Sequence, residues 1–218
     1  MAASPPGHVG CAAVPDGAGG CVYESTGLPA LTTDGTLVVY AEEDDLGEMG
    51  PPNFRVVERR VADDTTAEEL MVEPPARDRL PAAERDANLD KANAALALLP
   101  TAPLTAYPRD CDHVAGNQYA CYDTAGKSPI TTQIGPLVVE FKEPRLRILR
   151  DGNVLLEKDM PSWSTPRQGG DDWSCTMPAY LGSVWADLDR GVLLLTVDYA
   201  GMASCSAPST YHVLRLPG

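Results

Sequence analysis

Six cysteines, at positions 11, 21, 111, 121, 175 and 205, constrain this chain more than any other feature, because two pairs share one spacing. Cys11 and Cys21 are ten residues apart, as are Cys111 and Cys121, and the second pair follows the first by one hundred. An even set of cysteines in a chain of this size reads as a disulfide framework. Zinc would ask for CxxC-type spacing or clustered histidines, and neither is present. The favoured connectivity joins Cys11 to Cys21 and Cys111 to Cys121, which leaves Cys175 with Cys205 by exclusion. Closing a loop of about ten residues stabilises by about 2 to 3 kcal/mol in the chain-entropy description. An oxidising compartment is the expectation.

The offset of one hundred extends beyond the cysteines. The segment CVYESTGLPALTT from Cys21 lies against CYDTAGKSPITT from Cys121 with one residue of slippage, and Gly35, Leu37, Val38 and Val39 fall in register with Gly135, Leu137, Val138 and Val139. Such an ordered set of unlike residues points to an internal duplication. The apolar runs are β-like: Leu37 to Tyr40, Phe54 to Val61, Leu137 to Phe141, Leu146 to Leu149 and Val154 to Glu157, then Ala179 to Trp185, Val192 to Tyr199 and Tyr211 to Leu216. Turn signals separate them, among them Val14-Pro-Asp-Gly17, Thr33-Asp34-Gly35 and Asp151-Gly-Asn153. Ala62 to Glu73 shows no clear period, and Ser162 to Ser174 reads as a polar loop. One helix stands out from Pro81, with Leu89, Ala92, Leu96 and Leu99 at helical spacing and Pro100 as its stop.

The expected fold is therefore mainly β: antiparallel sheets from an internal duplication, as a sandwich or open barrel, with one inserted α-helix. Residues 1–10 read as a flexible tail and 11–218 as a single β-rich domain. Within it, repeat copy one covers 11–61, a helical insertion 62–108, copy two 111–158 and a C-terminal hairpin region 159–218.

The 17 basic and 31 acidic residues give a formal charge of −14, which disfavours nucleic acid and anionic lipid as partners. No apolar run is long enough for a spanning helix. Three histidines, at 8, 113 and 212, leave little room for catalytic or metal chemistry. A carboxylate–histidine cation site can be drawn at Asp110, Asp112 and His113, but a polar loop beside a disulfide is the preferred reading. Glu42, Glu43, Asp44, Asp45 and Glu48 suggest a calcium loop, yet lack the alternating spacing of such loops, so a solvated loop is preferred. Serine-nucleophile and phosphate-loop motifs are absent from the sequence. Trp163, Trp173 and Trp185 near Tyr180 suggest an aromatic cluster, for which the core of the C-terminal sheet is the preferred reading; Trp163, Trp173 and Tyr180 are the candidate binding surface for a protein or carbohydrate partner. No catalytic residue, metal or cofactor is expected.

Val192 to Pro217, the strand start at Thr33-Asp34-Gly35 and the alanine-rich helix resemble uncharacterised secreted proteins of bacteria such as myxobacteria. The Asp-Gly-strand pattern is also similar to a single blade of TolB-type repeats. The resemblance implies export and carries no functional residue. Met1-Ala-Ala-Ser-Pro-Pro-Gly7 lacks a basic start and an apolar core, so the expectation is that an export signal has been removed, with an extracellular or periplasmic destination. Lipidation at Cys11 is disfavoured because His8-Val9-Gly10 follows no apolar stretch. The functional expectation is a disulfide-stabilised binding or structural protein, the alternative a carboxylate-dependent hydrolase assisted by calcium. Non-reducing peptide mapping should return Cys11 with Cys21, Cys111 with Cys121 and Cys175 with Cys205; a bridge between the first two pairs would contradict this framework.

Overall fold

The computed structural model describes residues 7–13, 21–44, 53–74, 80–113, 120–125, 127–160, 163–166, 174–200 and 207–216. The described architecture is mainly β and every described strand pair is antiparallel. The chain divides into two compact units, Met1–Leu104 and Thr105–Gly218.

In the first unit β1 (His8–Ala13) and β2 (Cys21–Thr26) form a hairpin. Cys11 stands opposite Tyr23 and Cys21 opposite Ala13, so the Cys11–Cys21 disulfide runs diagonally across the pair with its Cα atoms 5.3 Å apart. His8 to Gly10, read from sequence as tail, belong to β1. Val9 is fully buried, an apolar anchor that a single isolated valine does not announce in sequence. Next come β3 (Ala30–Thr32), β4 (Leu37–Asp44), β5 (Asn53–Arg60), β6 (Thr66–Glu73), α1 (Ala82–Leu98) and β7 (Thr101–Pro103), and the sheet order is β6-β5-β4-β3-β7. Asp34 builds the β3–β4 turn: its Oδ1 accepts from the Thr32 hydroxyl at 2.6 Å and from the Thr36 amide at 3.1 Å, and Gly35 takes the left-handed φ of +71° that the turn needs.

Helix α1 buries Leu89, Ala92 and Leu96, in a cluster with Val9, Tyr23, Val39, Phe54, Val56 and Val72. Two asparagines of α1 bond to strand backbone. Asn93 Oδ1 accepts from the Val9 amide and its Nδ2 donates to the Val9 carbonyl, both at 2.9 Å, while Asn88 Nδ2 donates to the Val72 carbonyl at 3.1 Å. Asn93 thereby supplies Val9 with the pair of bonds another strand would have made.

Two segments differ from their sequence reading. Ala62 to Glu73 contains β6, whose burial is confined to its end, so no alternation marks it. The acidic run starts inside β4, because Glu42 lies opposite Arg55 and accepts a two-point ion pair from its Nε at 3.1 Å and Nη2 at 2.8 Å. The helical part of the 62–108 insertion is α1 alone among the described residues.

The second unit begins with β8 (Thr105–Tyr107), a 3-10 turn at Asp110–His113 and the short helix α2 (Ala120–Thr124), the last two joined by the Cys111–Cys121 disulfide. It continues with β9 (Ile130–Ile134), β10 (Leu137–Lys142), β11 (Arg145–Arg150), β12 (Asn153–Asp159), β13 (Trp163–Pro166), β14 (Ser174–Met177), β15 (Ala179–Asp187), β16 (Val192–Tyr199) and β17 (Thr210–Arg215). One sheet runs β12-β11-β10-β9 and another β17-β16-β15-β8; β13 pairs with β14, so a strand occupies part of the expected polar loop. The two four-stranded sheets bury one core, with Ile134, Leu137, Val139, Phe141, Leu146 and Ile148 from the first and Leu181, Val184, Leu193, Leu195, Val197 and Leu214 from the second. This is a sandwich. On the first sheet Arg145 and Arg147 alternate with Leu146 and Ile148 and pair with Glu157, Asp159 and Glu140 across the strands.

The meanders β3 to β6 and β9 to β12 share one connectivity, and Gly35 and Gly135, both at positive φ, precede β4 and β10 at the same distance. The bridged segments before them differ: Cys11–Cys21 links two paired strands, whereas Cys111–Cys121 links a 3-10 turn to a short helix. Truncating Asn93→Ala leaves the Val9 amide and carbonyl without protein partners and should lower unfolding stability by about 2 kcal/mol, read from urea titration; a change within about 0.5 kcal/mol, the range of an ordinary surface substitution, would contradict the strand-mimicking role.

Candidate functional site

Of the candidate binding surface, Tyr180 is described with its surroundings. Trp163 contributes its backbone to β13, opposite Met177, while its side chain and all of Trp173 lie outside the described residues, as do the Cys175 side chain and Cys205. Tyr180 opens β15 opposite Asp198 of β16 and meets Tyr122 of α2 edge-on, with ring centroids 6.3 Å apart at 75°. Burial first, and then the neighbouring Asp198 charge, push the Tyr180 phenol up to about 12. Burial also raises the Asp198 carboxyl, opposed by hydrogen bonds from Ser209 and Thr196 and by the Arg109 charge. Room for this carboxyl comes from a bulge between Leu181 and Val184: a Cβ on Gly182 would overlap the Thr196 hydroxyl and lie 2.5 Å from Asp198 Oδ2.

Arg109 connects this group to the bridged segment. Its Nη2 donates to Asp112 Oδ1 at 2.6 Å and its Nη1 to the Leu181 carbonyl at 2.9 Å, and the pairing holds Asp112 below its ordinary value. Asp110 accepts from the Cys111 and Thr131 amides and the Thr131 hydroxyl. The carboxylates flanking His113 are thus engaged in shaping the loop. Cys111, Asp112 and Cys121 cluster as a metal site would, but the two sulfurs are bonded to each other and offer no thiolates. In the acidic run, Glu42 is committed to Arg55; Asp45 and Glu48 lie outside the described residues.

At the other end of β15, roughly 23 Å away by strand rise, the sandwich opens into a cavity of about 400 Å³ lined by Pro136, Leu137, Arg150, Leu188, Asp189, Arg190, Gly191, Arg215 and Leu216. That size suits a small molecule. Backbone geometry sets its rim. Gly135 has φ +58° and a Cβ there would lie 2.9 Å from Leu188 Cδ1; Gly191, at φ +64°, accepts from the Leu216 amide at 2.8 Å. The Pro136, Leu137, Leu188 and Leu216 side of the lining is apolar, and the remainder carries three arginines and one aspartate in a chain of net charge −14.

The arginines are not equivalent. Arg190 is tied back by Asp187, which accepts from its Nη1 at 2.6 Å and from its amide at 2.9 Å. Arg150 ends β11 directly opposite the buried Leu137, in the phase of Leu146 and Ile148, so it stands in the core-facing row where the core gives out. Its Nε is closed to solvent and has no acceptor among the described residues. Arg215, opposite Val192 at the end of β17, is exposed, and its side chain has no ion pair or hydrogen-bond partner among the described residues. Every other described arginine donates to a carboxylate, hydroxyl or carbonyl. A buried guanidinium nitrogen without an acceptor costs roughly 1 to 3 kcal/mol. Sequence reasoning passed over this site because its residues come from separate turns and strand ends; the available signal was an arginine in the apolar phase of Arg145-Leu-Arg-Ile-Leu-Arg150.

Compared with known proteins, the chain matches no family model, no curated protein and no solved structure.

The raised Asp198 carboxyl has a consequence for stability. The folded chain holds this proton above the ordinary value of 3.8, where the unfolded chain has released it, so folding loses stability as pH rises through that window. Asp198→Asn removes the loss. Its urea midpoint should exceed that of the parent at pH 7, and the gap should close on acidification to about pH 3, below the ordinary carboxyl value; a gap independent of pH would contradict the burial of this group.

Proposed function

We propose that this is an exported, disulfide-stabilised binding protein that takes a small ligand into the end of its second unit's sandwich. The cavity lined by Arg150 and Arg215, neither of which has an anionic partner among the described residues, carries the reading. Support for export comes from the bridges Cys11–Cys21 and Cys111–Cys121, which suit an oxidising, extracellular or periplasmic setting. No helix among the described residues is long and apolar enough to cross a membrane. Internal duplication is supported by the matched meanders and by Gly35 and Gly135.

A hydrolase reading retains one observation in its favour. Arg109 stands near two carboxyls whose environments push them apart, Asp198 upward by burial and Asp112 downward by its ion pair, as in an acid and its ionised partner. The binding reading is preferred because the cavity lies at the opposite end of β15 from both.

Screening the oxidised, isotope-labelled full chain by NMR against neutral and anionic small molecules separates the two. Binding should move the amides of Gly135, Leu137, Leu188 to Gly191 and Leu216. Turnover of glycoside or ester substrates that is abolished by Asp198→Asn, with those amides unmoved, would favour the hydrolase instead.

A further inference from the structure

We infer that the cavity is a receptor for a small organic carboxylate, with Arg150 as the principal head-group ligand and Arg215 as the second. The inference rests on the small-ligand reading above and deepens it by naming the ligand class. Three features select that class.

The first is unmet charge. Arg150 and Arg215 come from opposite sheets of the sandwich, line one cavity and have no anionic partner among the described residues. Arg190, in the same lining, is already held by Asp187. Three arginines against Asp187 and Asp189 leave a net charge of 3 − 2, or +1, which one carboxylate balances and a dianionic phosphate exceeds. The second is geometry. A guanidinium presents a planar fork that matches the two oxygens of a carboxylate, and Arg150 Nε is the donor still lacking an acceptor. The third is the wall. Pro136, Leu137, Leu188 and Leu216 give the body of the ligand apolar surface, so an organic anion gains contacts that an inorganic one cannot. The acidic surface repels anions at long range, so selection falls to this concave, locally cationic place.

The test uses the full oxidised chain and defined probes: benzoate, its uncharged isostere benzamide, and inorganic phosphate, followed by amide shifts and by calorimetry. Benzoate should move Gly135, Leu137, Gly191 and Leu216, with benzamide roughly tenfold weaker or worse, since a charge-assisted bond is worth at least that ratio. Arg150→Gln should weaken benzoate by a similar factor and leave benzamide nearly unchanged, and Arg215→Gln should have the smaller effect of the same sign. The benzoate–benzamide comparison needs no variant, so the claim stays testable if Arg150→Gln fails to fold. Equal binding of benzoate and benzamide at these amides would overturn the carboxylate assignment while leaving the small-ligand reading standing. Phosphate binding as tightly as benzoate would overturn it in favour of an inorganic oxyanion site. If no probe and no member of the wider screen moves these amides, both readings fall together.

Discussion

Everything in the second unit depends on the face-to-face burial of two four-stranded sheets. Leu193, Leu195 and Val197 on one side and Leu137, Val139 and Phe141 on the other have essentially no exposure. Each such side chain contributes about 1.5 to 3 kcal/mol relative to an exposed one. That burial fixes the phase of every strand, because a slip by one residue would turn Arg145 and Arg147 inward and Leu146 and Ile148 out to water. The outer ion pairs with Glu157, Asp159 and Glu140 are exposed and add little to stability, but they favour the same register. The core therefore decides which side chains stand at its open end.

At that end the rule of apolar residues inside is broken at one position. Arg150 occupies a slot opposite Leu137 that a leucine would fill without leaving a polar atom unsatisfied. A local conflict of this kind, where it lines a cavity, is where function is expected to reside; Asn53, Arg85 and Thr132 also carry a buried polar atom without a partner among the described residues, but none of them lines the cavity. Asp198 is the second departure, a carboxyl kept from water beside Tyr180, but it is hydrogen-bonded by Ser209 and Thr196 and sits over a glycine that accommodates it. Its needs are met within the fold. Those of Arg150 are not met among the described residues, which is why the two sites are weighted differently.

Much of the fold could be read from the residues because its signals are local. The helix shows itself through Leu89, Ala92 and Leu96 between Pro81 and Pro100, and the terminal strands through the apolar-rich segments Val192 to Tyr199 and Tyr211 to Leu216. Spacing alone suggested both described bridges. What escaped depends on contacts distant in sequence. Strand β1 pairs with β2 on one side and on the other meets the Asn93 side chain 84 residues away, β6 is an edge strand with little burial, and Glu42 looks like a loop acid until Arg55 is found opposite it. Aromatic residues single out Trp163, Trp173 and Tyr180 in the sequence, whereas the cavity is made from the turns near residues 136 and 190 and the ends of β11 and β17, which no linear pattern joins.

The central claim is that the Arg150 guanidinium at the mouth of the sandwich, without an anionic partner among the described residues, holds an organic anion. The most direct measurement is a crystal of the oxidised chain soaked in 4-bromobenzoate, with the bromine located by anomalous scattering. The account places the carboxylate on Arg150, with Arg215 beside it, and the bromine against Leu137, Leu188 and Leu216. Bromine density confined to the Tyr122–Tyr180 face, or an orientation with the ring on the arginines and the carboxylate in solvent, would contradict it.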